Sequence, residues 1–183
     1  MKKIFVISMM TLAFAGFGYQ SVEADTSGNG TANINVTAPS TDSFYLETYP
    51  SFDFGTAKNN VKQLTAGGDK PYTVVDLRGG SSGYQIQVKV DDFIAADGSN
   101  KTLPVTDFMI SIGDSTNTSI QGSSLINVYN QNGTVLSAGV NTNGLSVSGG
   151  TSAKLDLKNA TGLATGVQYN ATITHSLVDG IGN

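Results

Sequence analysis

The chain has 183 residues, a formal net charge of −4, no cysteine, no tryptophan and a single histidine. A mildly acidic balance argues against nucleic acid as a partner. The missing cysteines exclude disulfide staples and any Cys-His catalytic pair, and one histidine excludes a multi-histidine zinc centre.

Lys2 and Lys3 precede an apolar run from Ile4 to about Gly18, and Val22-Glu23-Ala24 presents small residues where a signal peptidase reads. This order predicts a secretion signal over residues 1–24, cleaved after Ala24. Ser8, Thr11, Gly16 and Gly18 dilute the run below the roughly 18 unbroken apolar residues of a membrane span. Asp25 to Gly30 reads as a flexible arm, because little in it can be buried. Residues 31–183 then form one expected domain of about 150 residues, enough to bury roughly two-thirds of the unfolded surface.

Within that domain, Thr31 to Thr37 alternates through Ile34 and Val36, and Ser43 to Glu47 carries Phe44 and Leu46. Tyr72 to Asp76, Tyr84 to Val90, Phe108 to Ile112 and Leu125 to Tyr129 are further strand-like runs. Asp97-Gly98 and Asn143-Gly144 are turn signals, and Asn132-Gly133 suits the positive backbone angles of a type I′ hairpin. The Gly-, Ser- and Thr-rich interval from Ser111 to Ser124 predicts an extended hairpin or an exposed loop. Ala153, Leu155 and Leu157 mark an inward face. The longest alternation runs from Val167 to Leu177, where every odd residue is apolar or aromatic and His175 falls on the inward side. About eight to ten short strands without an amphipathic helix predict an all-β, antiparallel, immunoglobulin-like β-sandwich.

Few residues offer catalytic chemistry. A Ser-His-Asp triad needs His175 in a cleft, whereas its strand pattern turns it inward. Asp91 and Asp92 are the types a glycosidase uses, but neighbours on one strand point to opposite faces, so solvated loop charges are the simpler reading. Asp97-Gly98-Ser99-Asn100 lacks the later glutamate of a calcium loop and reads as an ordinary turn. Leu103-Pro104-Val105-Thr106-Asp107 is near a sortase signal but ends in aspartate and has no apolar tail behind it. Arg78, the only arginine, lies two residues from Asp76; a local ion pair is the plain expectation, and recognition of a carboxylate or phosphate the alternative. No enzymatic activity, cofactor or metal is expected.

Phe52-Asp53-Phe54-Gly55, Val74-Val75-Asp76-Leu77-Arg78-Gly79, Gly83-Tyr84-Gln85-Ile86 and Tyr169 to Leu177 follow one another in an order that resembles the WxL surface domain of low-GC Gram-positive bacteria. The two Trp-x-Leu motifs of that family read here as Tyr84-Gln85-Ile86 and His175-Ser176-Leu177, so ring character is kept while both indoles are replaced. The resemblance implies a secreted, wall-associated β-domain bound non-covalently to peptidoglycan or an associated wall polymer. It also implies assembly with other WxL-type proteins and a membrane-anchored surface partner. On this likeness the candidate binding residues are Tyr84, Gln85, Ile86, His175, Ser176 and Leu177, with Asp76 and Arg78 beside them, and the two ring motifs are expected to converge. Packing of both rings in the core is the competing expectation. The competing function is a structural or adhesive subunit that binds proteins, through an exposed strand edge, with no glycan affinity.

Overall fold

A computed structural model describes residues 33–35, 43–79, 82–113, 115, 120–158 and 165–180. The expected signal segment over 1–24 and the arm over 25–30 lie outside these residues. All the strands belong to one unit, Val36–Asn183.

The described residues contain no helix and thirteen strands: β1 Phe44–Thr48, β2 Gln63–Gly67, β3 Thr73–Asp76, β4 Tyr84–Val90, β5 Ile94–Ala95, β6 Val105–Ile112, β7 Ile120–Gly122, β8 Ile126–Asn127, β9 Gly133–Ala138, β10 Gly144–Val147, β11 Thr151–Leu157, β12 Tyr169–Asn170 and β13 Ile173–Asp179. They form two four-stranded sheets, β2-β11-β6-β8 and β13-β4-β9-β7, with a three-stranded sheet β1-β3-β10 and a two-stranded ribbon β12-β5. Every strand pairing is antiparallel. The architecture is an all-β sandwich.

Period-two alternation builds the core. Tyr84, Ile86, Val88 and Val90 of β4 are all fully buried, while Gln85, Gln87 and Lys89 face outward. Phe108, Ile110 and Ile112 of β6 and Ala153, Leu155 and Leu157 of β11 join them in a single apolar cluster. Full burial of each large aliphatic chain stabilises the fold by roughly 1.5–3 kcal/mol. On β9 both Val135 and Leu136 are buried, because the register shifts between Ile86 and Gln87 and a bulge turns two consecutive residues inward. Strand β13 lies at the edge of its sheet, so Ile173 and Leu177 pack against the core without being sealed by it.

Several expectations change. Residues 33–35 of the expected Thr31 to Thr37 strand are exposed and outside any strand; the other four lie outside the described residues. The alternation over Val167 to Leu177 is one run in sequence but two strands in space, since Tyr169–Asn170 pairs with β5 and the chain moves to β4 from Ile173 onward. Asn132-Gly133 makes no hairpin: β8 pairs with β6 and β9 with β4, so this connection crosses between sheets. Gly133 is needed for space instead, because a Cβ there would lie 2.6 Å from Ile126 and 2.9 Å from Val128. Strands β2, β5 and β10 were not expected, β7 lies inside the interval read as an extended hairpin or an exposed loop, and β9 follows the expected turn but pairs elsewhere; β2, Gln-Leu-Thr-Ala-Gly, and β7, Ile-Gln-Gly, carry too few large apolar residues to show alternation.

Candidate functional site

The Tyr84 motif opens β4, and its ring is fully buried, 5.8 Å from the Phe44 ring. Tyr84 Oη and Ser146 Oγ are buried beside each other, neither with a well-formed hydrogen bond, and burial pushes the Tyr84 phenol up. Asp76, at the end of β3 between Phe44 and Gly144, is 1% exposed. It accepts hydrogen bonds from Arg78 Nε at 2.9 Å, Arg78 Nη2 at 2.7 Å and the Arg78 backbone N–H at 3.1 Å. These bonds hold the Asp76 carboxyl below its usual range against the opposing effect of burial. The guanidinium lies 3.6 Å over the Phe44 ring, and Nη1 donates to Asp179 of β13. The expected ion pair is therefore present and tied into three strands. Each guanidinium nitrogen is already engaged, which leaves the alternative of ligand recognition little to work with.

His175 faces inward opposite Val88. Its ring stacks on Tyr49 at 4.9 Å and meets Tyr72 edge-on at 5.5 Å. Nδ1 lies 2.9 Å from Tyr72 Oη. Burial pushes the Tyr72 phenol up, so it keeps its proton and donates to Nδ1. The Pro50 carbonyl, which can only accept, takes the ring N–H. Burial lowers the His175 pKa to about 4, so the ring is neutral at pH 7.

The two motifs lie side by side on paired strands, Ile86 opposite Leu177, but their two rings do not come together. Both rings are on the inward face of neighbouring strands, but Tyr84 pairs with Asp179 and His175 with Val88, four residues further along β4. That offset is roughly 13 Å along the strand. Ile86 and Leu177 face each other on the inward side, while Gln85 and Ser176 occupy the opposite face. Thr134 Oγ1 lies 3.4 Å from Gln85 Oε1. One ligand cannot touch all six motif residues, and the competing expectation, rings packed in the sandwich, describes Tyr84 fully and His175 in part.

Accessible chemistry gathers just beyond β4. Asp91 and Asp92 follow Val90, where the strand has ended, so the opposite-face argument no longer applies and both line one open groove of about 440 Å³. Ile94, Asn130, Asn170 and Thr172 line the same groove. Asp92 Oδ1 accepts from Tyr129 Oη at 2.6 Å and from Asn130 Nδ2 at 2.9 Å, and these bonds, Tyr129 first, hold its carboxyl below the usual range. Burial, then Asp92, push Tyr129 up to about 12. Asn130 adopts φ 53°, a left-handed conformation that Asn tolerates, and its N–H donates to Val90 O at 2.8 Å. Asn170 and Ile94 are a cross-strand pair sharing one face, and Ile94 is 47% exposed. Lys89 offsets Asp91 through a 2.7 Å ion pair.

This arrangement offers hydrogen-bond donors and acceptors around an exposed apolar side chain. With Asp92 held ionised it cannot serve as a general acid at neutral pH. Among the described residues no group of three or more Asp, Glu or His side chains is placed to hold a metal. Asn130, Asn170 and Ile94 were not singled out in the sequence: they lie on separate segments and look there like turn and strand residues. The chain matches no family model, no curated protein and no solved structure.

Proposed function

We propose that this is an exported cell-surface protein of the WxL kind, one that attaches non-covalently to the peptidoglycan wall and assembles with partner surface proteins without catalysing a reaction. The supporting observation is the groove beyond β4, where amide, carboxylate and hydroxyl groups surround an exposed isoleucine and no basic side chain is among the lining residues. Such a surface suits a hydroxyl-rich ligand better than an anion. Sedimentation of the mature protein with purified cell-wall sacculi tests the reading: the protein is expected in the pellet, and a protein left wholly in the supernatant defeats it.

A second reading, a protein-binding structural or adhesive subunit without glycan affinity, has its own support. On the outward face of the β1-β3-β10 sheet, Tyr45 and Leu145 flank Val75 in register and are 40% and 66% exposed, with Val147 beyond them at 40%. Apolar side chains in a row next to a sheet edge are a feature of protein contacts. Absence of wall binding together with capture of a defined surface partner would favour this second reading.

A further inference from the structure

We infer that the groove beyond β4 is a subsite for one uncharged sugar ring, with Asp92, Asn130 and Asn170 addressing its hydroxyl or acetamido groups and Ile94 lying against its apolar face, and that it turns away phosphate-bearing wall polymers. This inference rests on the wall-binding reading above.

Asp92 and Asn130 are held before any ligand arrives, and the β12-β5 pairing places Asn170 beside them. Asp92 Oδ1 is oriented by Tyr129 and Asn130, and Asp92 Oδ2 has no bonded partner among the described residues. An ionised carboxylate is a strong acceptor for a hydroxyl donor. Asn130 donates one amide hydrogen to Asp92 and its amide also engages the Tyr129 hydroxyl, so its oxygen is the group without a partner among the described residues, and its backbone is tethered to Val90. Asn170 has a donor and an acceptor uncommitted within the described structure and stands beside Ile94 through the β12-β5 pairing. A sugar ring presents vicinal groups that both donate and accept along its rim and C–H groups on its face. A carboxylate and two amides around one apolar side chain answer both parts, and pre-fixed groups lower the ordering cost of binding.

Charge sets the selectivity. Asp91 and Asp92 both line the groove, and Lys89, which pairs with Asp91 and also acts on Asp92, sets one positive charge against two carboxylates. A phosphate in the groove would face a net negative charge at close range, since Lys89 offsets only one of the two carboxylates and no arginine or lysine is among the lining residues.

The test uses the mature protein and two preparations of sacculi, one intact and one stripped of phosphate-containing polymers by acid. Wild-type protein is expected to sediment with stripped sacculi at least as well as with intact ones. Asn170→Ala and Asp92→Ala are each expected to reduce the bound fraction about tenfold at an unchanged thermal midpoint, while Thr174→Ala, on the outward face of β13, binds as wild type. Asn170 makes no side-chain bond on which the described fold depends, so Asn170→Ala keeps the test decisive if Asp92→Ala unfolds. Equal binding by wild type and both variants overturns the subsite and leaves wall attachment standing. Binding that disappears on stripping overturns the selectivity and makes the phosphate polymer the ligand. No binding to either preparation overturns the subsite and the wall-binding reading together.

Discussion

The seam between β4 and β13 and the groove immediately after β4 are a few residues apart in sequence and opposite in character. The seam holds the conspicuous motifs, and it spends them on packing: Ile86, Val88 and Tyr84 are fully buried, and His175 is enclosed by Tyr49, Tyr72 and Pro50. The groove holds residues that look like ordinary turn formers, yet it brings Asp92, Asn130 and Asn170 together from three segments. A strand inside a sandwich must give every second side chain to the core, whereas the segments that leave it can turn neighbouring side chains to one side.

The largest expected effect lies in the seam. Ile86→Ala should cost about 2–5 kcal/mol in a denaturant titration, because the cavity forms in a sealed part of the core. Ile173→Ala, on the half-open edge strand β13, should cost less, and equal losses would show that β13 is buried as deeply as β4.

Next comes the clasp between the seam and the β1-β3-β10 sheet. Arg78→Ala leaves the Asp76 carboxylate buried without its partner and should cost on the order of 3 kcal/mol. Adding Asp76→Asn should recover part of that loss. Strict additivity of the two changes in the same titration would mean that the pair is not coupled.

A smaller effect follows pH. The folded-state pKa of His175, about 4, lies below the ordinary value of 6.5, so the unfolded chain binds the proton more readily. Its contribution to stability is complete above about pH 6.5, shrinks as pH falls towards about 4 and changes no further below that. Because the ring is only partly closed off from water, we expect on the order of 1–2 kcal/mol and not the full linkage value. His175→Gln should flatten this part of a thermal-melt profile against pH, and an unchanged slope would place the titration elsewhere.

The smallest effects belong to the groove and the outward face. Asn170→Ala and Gln85→Ala should each shift stability by within about 0.5 kcal/mol. A loss above 2 kcal/mol for Asn170→Ala, measured by thermal melting, would make the groove a structural element and erase its contrast with the seam.

Much of the scaffold was legible because alternation is a local signal. The bounds of β4, the inward faces of β6 and β11 and the inward position of His175 could all be read from which residues recur at every second position. The Asp76 and Arg78 pair was legible for the same reason, since the partners lie two residues apart. Pairing was not legible, because a strand carries no local mark of its neighbour: the break between β12 and β13 and the sheet crossing before β9 depend on which partner each segment meets. The separation of Tyr84 from His175 is a matter of register, to which both residues' local patterns are blind. The groove is the extreme case. Its residues span Asp91 to Thr172, and only the closure of the sandwich, with Asn130 in a left-handed turn and Asn170 paired to Ile94, gives those scattered polar groups a common surface.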